Sequence, residues 1–205
     1  MMNPPHLGHV AVVETVHRAT GVDRVVVVPA GIPPHRRAPS VSARARLTMA
    51  VRAFADLPHV VVSDSEVERG EHGEVGYMVD TLEELLELPE QLGYDDLSVS
   101  LSLVVGADQA ATLPEWHRFE RIVEIARIAV LGRPDHIEPT RLERDLDRLT
   151  ALGARIDDVA MVPVAISSTM VRAAAARGAR DVVRGLVPAA IVDDVMRLYR
   201  SEPGD

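Results

Sequence analysis

Continuous apolar runs alternate along this chain with stretches of helical periodicity, and the alternation sets the expected order of elements. Val10, Val13, Val16 and Ala19 recur at helical spacing up to Gly21, which predicts a helix closed by a glycine. RVVVVPA (24–30) is an uninterrupted β-branched run, as in a strand buried on both faces. The proline and glycine content of GIPPHRRAPS predicts a loop. Helical spacing returns over 42–55, then HVVVSD (59–64) reads as a strand and SEVERGEHGEVG as a charged loop. A helix over 79–88 is expected to stop at Pro89. Beyond it the pattern gives a strand at 99–108, a proline-started helix in LPEWHRFERIVEIA and a strand in RIAVLGRP. An arginine-rich amphipathic helix over 138–152 and a strand in VAMVPV follow. ISSTMVRAAAARG opens a helix with serine and threonine at its cap, and VPAAIVDDVMRLYR starts a closing helix at its proline.

Strands that alternate with helices argue for an α/β fold, a parallel sheet with helices on both faces. Right-handed crossovers make it a Rossmann-like, doubly wound, single domain spanning 1–205. Hydrophobic residues form 47% of the chain, yet no stretch approaches the ~20 apolar residues of a membrane span. No basic segment leads into an apolar one at the start, as a secretory leader requires. The absence of cysteine excludes disulfides, thiolate metal sites and a cysteine nucleophile. These features suit a cytoplasmic protein with no membrane partner. A net charge of -9 argues against a nucleic-acid partner, which needs a basic face. All 22 basic residues are arginine; its forked donors suit phosphate oxygens, although a compositional bias accounts for arginine usage equally.

Two short constellations carry candidate chemistry. In NPPHLGH (3–9), His6 and His9 are three apart, so on the first turn of a helix they face one side. Two rings beside the positive end of a helix suit a polyphosphate, and Gly8 lets a ligand or another backbone approach closely. A metal pair is the rival reading, but no third ligand is near and i,i+4 spacing is more usual. Two surface histidines at a frayed terminus are the plain alternative. In ISSTMVR (166–172), Ser167, Ser168 or Thr169 can cap a helix and leave hydroxyls and N–H groups for an anion. Arg172 shares the face of Ser168 and Thr169. An ordinary cap with a solvated arginine reads the same residues equally well. Each motif falls where a strand should end, the place where open α/β sheets bind ligands.

Together the two motifs resemble the nucleotidyltransferases that carry HxGH near the front and ISSTxxR near the end. Within that group the chain is similar to the bacterial nicotinate-nucleotide adenylyltransferases. PAGIPPHR (29–36) looks like their Pro-Pro-His-basic loop and GYMVDTL (76–82) like their SYTxDTL segment. GADQAATLPEWHRFERI (106–122) resembles their GAD stretch with its tryptophan, and LVPAAIVDDVMRLY (186–199) their closing helix. The similarity runs through nearly the whole chain in family order. It implies attack of the phosphate of nicotinate mononucleotide on the α-phosphorus of ATP, giving the dinucleotide and pyrophosphate. Such chemistry rests on alignment and charge stabilisation and needs no protein nucleophile. By the same resemblance His6, His9 and Arg172 are catalytic, the histidines on ATP phosphates that favour their protonated forms. Gly8, Ser167, Ser168, Thr169 and Arg172 hold the nucleotide. Mg²⁺ rides mainly on its phosphates, with no protein metal site. Thr81, Asp108, Trp116, His35 and Arg36 serve the acceptor, Trp116 by stacking on the pyridine ring. The family also implies self-association as a homo-oligomer. The residues alone leave other roles open: a core position for Trp116, a helix cap for Asp108, an exposed loop for His35 and Arg36.

Departures from the family pattern are specific. Gly76 and Met78 stand where serine and threonine are usual, and His35-Arg36 replaces a commoner histidine-lysine pair. Nicotinamide mononucleotide or phosphopantetheine are therefore alternative acceptors, and a nucleotide-binding protein without turnover is the alternative of another class. The family also begins with a strand and a Gly-Gly-x-Phe turn, where this chain has Met1 and Met2. The expectation is a start lying about ten residues too far downstream, leaving unpaired ladder groups on the two strands that flank a central one.

Overall fold

The computed structural model describes residues 2–32, 41–91, 98–132, 139–162 and 164–200. The chain runs through α1 (Leu7–Thr20), β1 (Val25–Val27), α2 (Ala43–Phe54), β2 (Val60–Val62), α3 (Ser65–Glu71) and α4 (Met78–Gln91). It continues with β3 (Leu101–Gly106), α5 (Ala107–Ala110), α6 (Phe119–Ile125), β4 (Ala126–Gly132) and α7 (Pro139–Ala151). β5 (Ile156–Ala160), α8 (Ser168–Ala176), α9 (Arg180–Leu186) and α10 (Val192–Leu198) complete it. The chain divides into two compact units, one of Met1–Gly76 with Val164–Asp205 and one of Tyr77–Pro163.

The α/β class and the parallel pairing are as expected, and the described strands fall into two ladders. In the first unit β1 pairs in parallel with β2, from Val25↔Val60 to Val27↔Val62. Val25, Val27, Val60 and Val62 gather with Val13 of α1 and Ala50 and Phe54 of α2 in one apolar cluster. Val26 and Val61 point to the other face and are exposed. The strand is thus shorter than 24–30 and, within its unit, buried on one face, because alternate side chains leave a sheet on opposite sides. In the second unit β4 lies between β3 and β5, all parallel. Leu103, Val105, Ile128 and Val130 pack there with Val79 and Leu82 of α4, Ile122 of α6 and Leu149 of α7.

Capping explains where the best-read helices begin and end. Gly21, at φ 68, closes α1 with its N–H on the His17 carbonyl, the left-handed conformation that glycine adopts without cost. Ser42 Oγ accepts the Ala45 N–H at 3.2 Å and starts α2. Several boundaries depart from the sequence pattern. SEVERGE is helical, not loop: Glu66 and Glu68 favour the positive end of α3 and Arg69 its last turn. α4 passes through Pro89 to Gln91, so the proline does not stop the helix where expected. LPEWHRFERIVEIA is broken into a 3₁₀ turn, Leu113–Glu115, and α6, since Trp116 is extended and Arg118 takes φ 53. β5 starts three residues before VAMVPV and includes only its Val159 and Ala160, and α9 occupies a stretch where no helix was expected. The closing helix is a 3₁₀ turn, Ala189–Ile191, followed by α10. No described helix is long and apolar enough to cross a membrane.

Candidate active site

Residues of the first unit build the site from the chain's front. His6 is the N-cap of α1, extended at φ -149 and ψ 170, and is buried. Its backbone N–H donates to Nδ1 of His9 at 3.2 Å, while the His9 N–H donates to the His6 carbonyl at 2.9 Å. The two rings lie 3.8 Å apart, centroid to centroid, tilted by 36°. A backbone N–H can only donate, so His9 Nδ1 accepts and the proton of the neutral ring sits on Nε2. A second proton on His9 would compete with this bond. Gly8 permits the arrangement: a Cβ there would stand 2.9 Å from two atoms of the His6 ring and 3.5 Å from the Ile166 carbonyl oxygen.

The start of α8 meets the same segment. Ser167 caps the helix, its Oγ accepting the Met170 N–H at 3.2 Å. Ser168 Oγ donates to the Pro4 carbonyl at 2.9 Å. Arg172 donates through Nη1 to the Asn3 carbonyl at 3.0 Å and through Nη2 to Thr169 Oγ1 at 3.2 Å. The structure therefore brings together His6, Gly8, His9, Ser167, Ser168, Thr169 and Arg172, with side chains of one motif holding backbone carbonyls of the other. Pattern reading missed what lies behind them. The buried Tyr199 hydroxyl donates to Asn3 Oδ1 at 2.7 Å. Arg46 is 1% exposed and gives Nη2 to the Gly31 carbonyl at 3.2 Å. Burial pulls the Arg46 guanidinium below its usual range, against the opposing pull of Tyr199 and the buried Glu66. The signal for both residues was present: a tyrosine closing an apolar helix, and an arginine on the apolar side of α2.

Gly76 has a local cause. A Cβ there would stand 3.0 Å from Glu66 Oε2, so a serine would require the buried Glu66 side chain to give way slightly. Thr81, Asp108 and Trp116 belong to the second unit. Thr81 is buried in α4, and Trp116 is half-buried against its unit's apolar cluster. Asp108 is exposed on α5, with Gln109 Nε2 donating to its Oδ2 at 3.3 Å. His35 and Arg36 lie outside the described residues. Among those described, no group of three or more histidine, aspartate and glutamate side chains is placed to hold a metal ion.

Comparison with known proteins gives the family. Residues 1–174 match the family model described as cytidylyltransferase-like. A protein of Pseudomonas aeruginosa named "Probable nicotinate-nucleotide adenylyltransferase" is 34% identical over 211 residues, 97% of this chain and 94% of the relative. One of the same name from Chromohalobacter salexigens is 34% identical, covering 95% and 89%. In fold, the chain resembles the Plasmodium falciparum nicotinic acid mononucleotide adenylyltransferase complexed with NaAD. The TM-score is 0.73 at 13% identity, covering 98% of this chain and 94% of that one. The chain belongs to the cytidylyltransferase-like family and, within it, to the nicotinate-nucleotide adenylyltransferases.

Proposed function

We propose that the chain transfers the adenylyl group of ATP to nicotinate mononucleotide in NAD biosynthesis. A phosphate oxygen of the mononucleotide attacks the α-phosphorus, and the bond from that phosphorus to the oxygen bridging to the β-phosphorus breaks. Nicotinate adenine dinucleotide and pyrophosphate are the products. The observation that carries this reading is the joining of the two phosphate motifs through Ser168–Pro4 and Arg172–Asn3. His6, His9 and Arg172 are assigned to the phosphates. The Nε2–H of His9 and the guanidinium of Arg172 stabilise charge that grows on phosphate oxygens as pyrophosphate departs. Gly8, Ser167, Ser168 and Thr169 shape the floor beneath the nucleotide. Thr81, Asp108 and Trp116 are assigned to the acceptor, with His35 and Arg36, which lie outside the described residues.

Mg²⁺ would be held mainly by the ATP phosphates and, when bound, would supply neutralisation of charge on the leaving group. The test is pyrophosphate release from ATP with nicotinate mononucleotide, nicotinamide mononucleotide and phosphopantetheine supplied in turn. Nicotinate mononucleotide should give the highest kcat/KM. His9→Ala and Arg172→Ala should each reduce kcat by about 10²–10³ with circular dichroism unchanged. A preference for another acceptor would reassign the substrate, and near-full activity in both variants would refute the site. ATP binding without pyrophosphate release from any acceptor would leave a nucleotide-binding protein without turnover.

A further inference from the structure

We infer that Tyr199 is a positioning residue for the phosphate site, acting through Asn3; this rests on the adenylyl-transfer reading above. Tyr199 follows α10 and is completely buried among Met49, Val171, Ile191 and Val195. The ring's neighbours there would accept phenylalanine, and burying the hydroxyl, which also acts on the Arg46 guanidinium, costs free energy unless it is hydrogen-bonded. It donates to Asn3 Oδ1 at 2.7 Å, in a residue only 9% exposed. The same asparagine offers its backbone carbonyl to Arg172 Nη1 at 3.0 Å. The next carbonyl, that of Pro4, takes Ser168 Oγ at 2.9 Å.

One residue thus joins the end of the chain to the arginine of the phosphate site. Between Asn3 and His6 stand only Pro4 and Pro5, whose φ angles are fixed by their rings. An orientation set at Asn3 is therefore passed to the N-cap histidine with little slack. Without the tyrosine hydroxyl, Asn3 Oδ1 is left buried and unsatisfied. The asparagine must then turn or shift, and the Arg172 contact moves with it. Displacements of about 1 Å at a reacting centre cost up to ~10²-fold in rate.

The test uses the full chain. Tyr199→Phe should lower kcat/KM for ATP about tenfold or more, while KM for nicotinate mononucleotide stays within about twofold. Asn3→Leu should do the same, and the double variant should be no worse than either single one, because both remove the same bond. Asn3→Asp, which keeps an acceptor for the hydroxyl, should retain more activity than Asn3→Leu. Val195→Ala provides the control, since it disturbs the same apolar cluster without touching Asn3. It should lower Tm yet keep kcat/KM at a temperature where both proteins are folded. Equal losses in Val195→Ala and Tyr199→Phe, or additive losses in the double variant, would overturn the proposal. If the parent chain releases no pyrophosphate with any acceptor, calorimetric ATP affinity decides instead. About tenfold weaker binding in Tyr199→Phe supports the role, and unchanged binding removes it.

Discussion

Arg46 is a charged side chain held almost wholly out of solvent, at 1% exposure. It is buried in α2, donates to the Gly31 carbonyl and feels the buried Glu66 carboxylate. Nε and Nη1 are buried too, with no hydrogen-bond partner among the described residues. Removing the guanidinium takes its donor from the buried Gly31 carbonyl. Arg46→Met should therefore destabilise the chain by about 1–3 kcal/mol, measured by urea unfolding. A variant as stable as the parent would mean that the Gly31 carbonyl finds another donor. The spacing of α2 sets Arg46 on the face of Ala50 and Phe54, so its burial was legible, whereas its partner, the Gly31 carbonyl, was not.

At the scale of elements, β5 shows why period and composition read some segments and misread others. The apolar run VAMVPV attracted the expectation of a strand, yet the strand is Ile156–Ala160, IDDVA, shifted three residues back and sharing only Val159 and Ala160 with that run. Its register on β4 sets Asp157 opposite Ala129, and Arg127 grips the Asp157 carboxylate with both Nε, at 2.8 Å, and Nη2. A carboxylate inside a strand is acceptable when a neighbouring strand supplies its cation, which is a tertiary fact. The hydrogen bonds and charge of Arg127 hold the Asp157 carboxyl below the usual carboxylate range. Because the folded value is the lower one, the stabilisation is complete above the ordinary carboxylate pKa of ~3.9. It is lost as pH falls through the depressed folded value. Asp157→Asn should thus melt below the parent at pH 7, and the two melting curves should converge in strong acid. A gap that persists in acid would assign the effect to packing. The same reasoning separates the other elements. α1, α2 and α8 were legible because a cap and an apolar stripe agree, and α7 because its amphipathic period is clear. α3 was hidden by its charges, and α6 was shortened by the left-handed Arg118, which no local pattern announces.

At the scale of the molecule, the candidate site residues are divided between two units, and so is their legibility. Spacing offered HxGH and ISSTxxR a phosphate reading beside plainer ones, and both lie in the first unit. Thr81, Asp108 and Trp116 were assigned only by resemblance, and they lie in the second. Buried, exposed and half-buried in turn, these three share no spacing or local cue that marks an acceptor site. If the assignments hold, the two substrates should protect different parts of the chain from amide hydrogen exchange. ATP alone should slow exchange at the starts of α1 and α8, through Gly8, His9, Ser168 and Thr169. Nicotinate mononucleotide alone should slow it around Thr81 and between Asp108 and Trp116, leaving α8 unchanged. Each ligand should also raise Tm by mass action, by about 2.7 kcal/mol of stability at a hundredfold excess over Kd. Protection of α1 by the mononucleotide alone would move the acceptor to the phosphate motifs and require a new assignment of Trp116. Protection by ATP of the second unit alone would separate the nucleotide from His6, His9 and Arg172, the residues on which the proposed chemistry depends.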